Sequence, residues 1–123
     1  MKKLFLVCLM MLSGSAWAEW VMYDETETAT HYFDPATIRK DGNMRRVWEL
    51  TDLRKRHKDG EMSRRVRLEY DCNEERYKFL ATSEHSEPMA GGTVLVMLEE
   101  EKIWRATAPG TPSSKILLLV CAK

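Results

Sequence analysis

The sequence predicts an α+β domain, an antiparallel sheet of about six strands packed by a C-terminal helix and closed by one disulfide. Three observations lead there. "SRRVRLEYDC" (63 to 72) alternates, with Val66, Leu68, Tyr70 and Cys72 on one face and Arg65, Arg67, Glu69 and Asp71 on the other. The tail "TPSSKILLLVC" changes period, so that Ile116, Leu117, Val120 and Cys121 share a helical stripe. Finally, the cysteine count leaves one pairing once the N-terminal segment is set aside.

That segment, "MKKLFLVCLMMLSGSAWA", has a basic start at Lys2 and Lys3, an apolar stretch from Leu4 to Leu12 and a small-x-small end at Ala16-Trp17-Ala18. This is the pattern of a secretory signal peptide spanning residues 1–18, and the apolar stretch is short of the roughly 20 residues of a membrane span. Cys8 lies inside the apolar stretch after Val7, where a lipid-anchored cysteine would follow a small residue, so no lipid anchor is expected. Residues 19–123 then form a single small domain. Export to the periplasm, or onward to the cell surface or medium, places Cys72 and Cys121 where disulfides form. A metal pair would need further ligands, and a reactive thiol would need an unpaired cysteine.

Taken in order, "WVMYD" (20 to 24) and "THYFD" (30 to 34) read as a first hairpin, and "DPATI" as a short turn capped by Asp34. Asp41-Gly42 turns the chain into "MRRVWELTDL" (44 to 53), which pairs with residues 63 to 72. A tight turn on Asp59-Gly60 would give the two strands opposite faces. A protruding loop over 54 to 61 is expected instead, restoring Trp48 beside Tyr70 and Leu50 beside Leu68. "NEER" (73 to 76) reads as a four-residue loop that sets Cys72 against Tyr77 and Tyr70 against Phe79. "GTVLVML" (92 to 98), apolar on both phases, suits a strand more central than the others. "IWRAT" (103 to 107) resumes the sheet after Glu99 to Glu101. Thr111 followed by Pro112 starts the terminal helix, with a strand as the alternative because of its β-branched content. The helix would carry Cys121 to Cys72.

The chemistry-bearing residues are sparse. His31, His57 and His85 lack metal-like spacing, adjacent His85-Ser86-Glu87 point to opposite sides of a strand, and no metal or cofactor is expected. Phosphate loops, nucleophile elbows and H-E-x-x-H are absent from the sequence, so no catalytic residues are assigned and an enzyme is not expected. Charge is uneven: residues 39 to 67 carry eleven Lys/Arg against five Asp/Glu, while the rest of the mature chain carries six against fourteen. The candidate binding residues are Arg54, Lys55, Arg56 and Lys58 in "RKRHK", with Arg65 and Arg67 beside them. They would suit a protein surface or an anionic glycan or matrix partner, or serve only as a solubilising hairpin tip. Nucleic acid is not expected for an exported domain whose basic segment lacks interleaved aromatics.

The order of "HYFDPATIRKDGNMRRVWELTDL", "SRRVRLEYDC", "EPMAGG", "IWRATAPGT" and the final "LLLVC" resembles the surface-adhesin protein E family across nearly all of the mature chain. The resemblance implies an antiparallel sheet, a C-terminal helix, a sheet-to-helix disulfide and a homodimer. It further implies non-enzymatic adhesion to host or extracellular matrix components, such as vitronectin and laminin. Among family residues, only the cysteine pair carries over position by position. A periplasmic inhibitor or envelope accessory protein, presenting the basic loop to an enzyme, is the other function considered.

Overall fold

The computed structural model describes residues 18–122. Apart from Ala18, the expected signal segment therefore lies outside the described residues. Seven strands and a helix follow in order: β1 (Val21–Glu25), β2 (Ala29–Asp41), β3 (Met44–Leu53), β4 (Ser63–Asp71), β5 (Arg76–Glu87), β6 (Gly91–Leu98), β7 (Arg105–Ala106) and α1 (Pro112–Cys121). The sheet is an antiparallel meander in the order β1-β2-β3-β4-β5-β6, with β7 added to β5 at Arg76 and Tyr77.

Helix α1 settles the tail as helical. Thr111 is its N-cap residue in extended conformation, followed by Pro112, whose fixed φ suits the first turn. Ile116, Leu117 and Val120 are buried and join Phe33, Val47, Val66, Leu68 and Tyr70 in one core. Fully burying each of these aliphatic side chains is worth about 2 kcal/mol. The Cys72–Cys121 disulfide, with Cα atoms 5.8 Å apart, fixes the end of that stripe to the turn after β4.

Several local expectations are corrected by the register. Trp48 lies opposite Arg67 and Leu50 opposite Arg65, not opposite Tyr70 and Leu68. Val47 and Glu49 therefore share the helix face with Leu68 and Val66, and Trp48 and Leu50 take the other face. "MRRVWELTDL" is apolar on both phases, so parity alone could not choose between them. Leu50 is nevertheless fully buried, flanked by Tyr32 on β2 and Arg65 on β4. Tyr70 faces Tyr77 and Leu68 faces Phe79, two residues away from the expected pairing, with faces preserved because the slip is even.

Two elements also differ in kind. "DPATI" is part of β2 and not a separate turn, but Asp34 caps it as expected: its Oδ1 accepts from Ala36 N–H at 3.1 Å, and a register irregularity between Asp34 and Arg39 absorbs the proline. β6 is not central: it forms an edge, and Val94, Leu95, Val96, Met97 and Leu98 are exposed. Its continuous apolar run signals burial on both faces, which the described chain does not supply. The connection to β5 turns through Met89 and Ala90, both at positive φ, and Gly92 (φ +72) follows where a Cβ would meet Ser86 Oγ at 2.3 Å.

The staple generates a stability prediction. Replacing Cys72 and Cys121 together by Ser should lower the unfolding free energy by about 4 kcal/mol in urea titrations, the value expected for a loop of this length. Alkylation of the unreduced native protein should label neither cysteine.

Candidate functional site

The loop between β3 and β4 folds back across the sheet end. Leu53 N–H donates to Met62 O, Met62 N–H to His85 O, and His57 N–H to Glu61 O. Arg54 and Arg56 brace this shape. Arg54 donates to Thr26 O at 3.0 and 3.1 Å and pairs with Glu25 at 3.0 Å. Arg56 donates to Gly60 O at 3.0 Å and Ser86 O at 2.6 Å. Lys55 and Lys58 are exposed and have no ion pair among the described residues. The six candidate cations thus divide by role: two brace the loop, two point their charge to solvent, and two lie on strand β4.

Those two, Arg65 and Arg67, occupy the helix-free face. The Arg65 guanidinium stacks over Trp48 at 3.8 Å from the ring centroid, an arrangement that combines a buried stem with a cation–π contact. Burial lowers its proton affinity somewhat, opposed by Asp34. Arg67 faces Trp48 from the neighbouring strand. The structure therefore joins an aromatic residue to the basic candidates, a pairing hidden by the incorrect register.

Sequence reasoning also missed a group in the loop. His57, Asp59 and Glu61 bring one ligand atom each within 4.8 Å of one another, a set able to hold a metal ion. The signal is an alternating H-x-D-x-E that bends at Gly60. Glu61 is buried, however, and Arg64 already engages both of its oxygens at 2.8 Å, with His57 Nδ1 at 3.1 Å. These contacts account for its charge.

On the helix face, α1 covers part of the sheet and leaves a cleft of about 340 Å³ beside its N-terminal end. Glu49 lies in its wall and is buried among aromatic residues. Its Oε1 accepts from Tyr23 Oη at 2.7 Å, and its Oε2 accepts from the Tyr70 hydroxyl. Burial lifts the Glu49 carboxyl from its usual 4.5 to about 7, against the pull of the two phenol hydrogen bonds. Both phenols are raised in turn, by burial first and then by the nearby Glu49 charge. His31, also in the wall, is lowered by burial.

A single sheet with one helix clamped onto it by a disulfide defines a small stapled α+β domain suited to an oxidising, exported setting. The chain belongs to the surface-adhesin protein E family, whose model matches residues 20–122. Its fold is that of Haemophilus influenzae protein E. The crystal form II structure of that protein matches with a TM-score of 0.69 at 15% identity, covering 88% of this chain and 91% of the other. A further structure of Haemophilus influenzae protein E matches with a TM-score of 0.64 at 14% identity, covering 88% and 87%. No curated protein sequence matches this chain. The family is one of adhesins, not of enzymes, and among the described residues no helix is long and apolar enough to cross a membrane.

The buried carboxyl has a measurable consequence. Between about pH 4.5 and 7 the unfolded Glu49 ionises while the folded side chain keeps its proton, so its contribution to stability falls as pH rises, by about 3 kcal/mol in full. Glu49→Gln, compared with the wild type in urea titrations across that range, should remove this decline.

Proposed function

We propose that this protein is an exported, non-enzymatic binding domain that attaches to anionic matrix or glycan surfaces through the loop at 54–62 and the adjoining helix-free face. The observation that carries this reading is the division of labour among the loop cations. Arg54 and Arg56 hold the backbone in shape, while Lys55 and Lys58 remain exposed and unpaired among the described residues. A fixed loop presenting uncompensated charge attracts polyanions at low ordering cost. Arg65 over Trp48 extends the surface with a group able to meet a sulfate or carboxylate. Family membership supports adhesion as the biological use.

We further infer that the working unit is a homodimer joined at β6. An antiparallel edge strand is self-complementary across a two-fold axis, and β6 carries no charged side chain between Gly91 and Leu98. Pairing two copies would cover apolar side chains on both faces and satisfy the open ladder. It would also present two basic loops, raising avidity for a repeating matrix.

Two measurements test these readings. Lys55→Ser/Lys58→Ser should bind immobilised heparin about tenfold more weakly than the wild type at low salt and show a shallower salt dependence. Unchanged binding by the folded variant would remove the loop from the contact surface. Light scattering on the eluting wild type should give twice the chain mass, and Met97→Lys should give the monomer; a monomeric wild type would contradict the dimer.

A further inference from the structure

The cleft beside α1 is separate from the basic loop, and its chemistry has the opposite sign. Among the described residues Glu49 has no basic partner: its contacts are the two phenol hydroxyls of Tyr23 and Tyr70. A carboxylate offers about four lone-pair positions, so two phenols leave acceptor capacity unused. The other charged groups around the cleft are already compensated, Arg105 among them: its guanidinium lies 5.4 Å from the Phe79 ring centroid and pairs with Glu101 at 2.8 Å. Arg64, in the wall, is held by both oxygens of Glu61 at 2.8 Å. Lys115, on the helix, is paired with Asp24 at 2.6 Å. His31 contacts Thr51 Oγ1 at 3.4 Å and is neutral near pH 7 because burial lowers its proton affinity.

Tyr23, Tyr70, Tyr77 and Phe79 line the same cleft as Glu49. Tyr77 lies 6.1 Å from Tyr70 and 5.9 Å from Phe79 between centroids, the latter pair edge to face. Rings set at angles about a carboxylate make a receptor for a cation, through attraction to the ring faces and a terminal counter-charge. The cleft volume, about 340 Å³, sits at the lower end of small-ligand sites and suits a short aliphatic chain ending in a charged head.

We propose that this cleft binds an alkylammonium group, with Glu49 as counter-ion and Tyr77 as its aromatic wall, since the neighbouring Phe79 ring already carries the Arg105 guanidinium at 5.4 Å. The group belongs either to a free small amine or to a lysine side chain of a protein partner. Bringing a cation to Glu49 favours its ionised form, so binding at about pH 7 expels part of a proton to solvent. The effect fades by about pH 9, where the carboxyl is ionised beforehand and the ammonium is still mostly protonated.

Titration calorimetry of the disulfide-intact protein tests this with n-butylammonium and with a short acetylated, amidated peptide carrying one lysine; butanol and butyrate serve as controls. Binding of the butylammonium ion alone assigns a free amine, and tighter binding of the peptide assigns a partner's lysine. In both cases heats at pH 7 should vary with the ionisation enthalpy of the buffer. Glu49→Gln should weaken binding at least tenfold. Ala108→Trp, which fills the cleft mouth and leaves the Glu49 network in place, should abolish it. The proposal is overturned if neither ammonium binds, if butyrate binds better, or if folded Glu49→Gln retains wild-type affinity.

Discussion

The covalent link between Cys72 and Cys121 decides which part of the sheet the helix covers. It ties the last turn of α1 to the start of the β4–β5 turn, so Ile116, Leu117 and Val120 must descend onto Val47, Leu68 and Tyr70. A ten-residue helix has little intrinsic stability in water. Its order therefore comes from this packing and from the restriction that the bridge places on the unfolded chain. The same restraint leaves the neighbouring sheet surface uncovered, and the cleft lined by Glu49, Tyr77 and Phe79 is the result.

The domain consequently separates its chemistry by face. On the helix face a buried carboxyl, two phenols and a neutral histidine form a polar pocket within an apolar core. On the helix-free face and at the sheet end, arginines and lysines dominate, with Trp48 as a stacking platform. Arg54 reaches a carbonyl of the β1–β2 turn and Arg56 one near the end of β5, and both so spend their donors on shape. Exposed charge is then left to Lys55 and Lys58, flexible side chains on a braced backbone.

Much of the architecture was legible because the relevant signals were local. Alternation in "SRRVRLEYDC" identified the helix face of β4 correctly, the Thr111-Pro112 start marked α1, and two cysteines in one domain had one way to pair. Register was less legible, because pairing depends on how the 54–62 loop folds back over β5, and Met62 N–H to His85 O is a non-local bond. The resulting parity error hid Glu49 and turned Trp48 away from Arg65. β6 misled for a different reason: apolar residues on both phases report a need for burial, not which surface meets it. The H-x-D-x-E set required the turn at Gly60 before its side chains could converge.

The dependence of the helix on its staple can be observed directly by amide hydrogen exchange of the oxidised and reduced protein under native conditions. In the oxidised protein the amides of residues 116–121 should exchange nearly as slowly as those of β3 and β4, since they open only with the core. After reduction the helix should exchange much faster while β3 and β4 keep measurable protection. Helix protection that is unchanged by reduction would contradict the account, because it would show that packing alone holds α1 to the sheet.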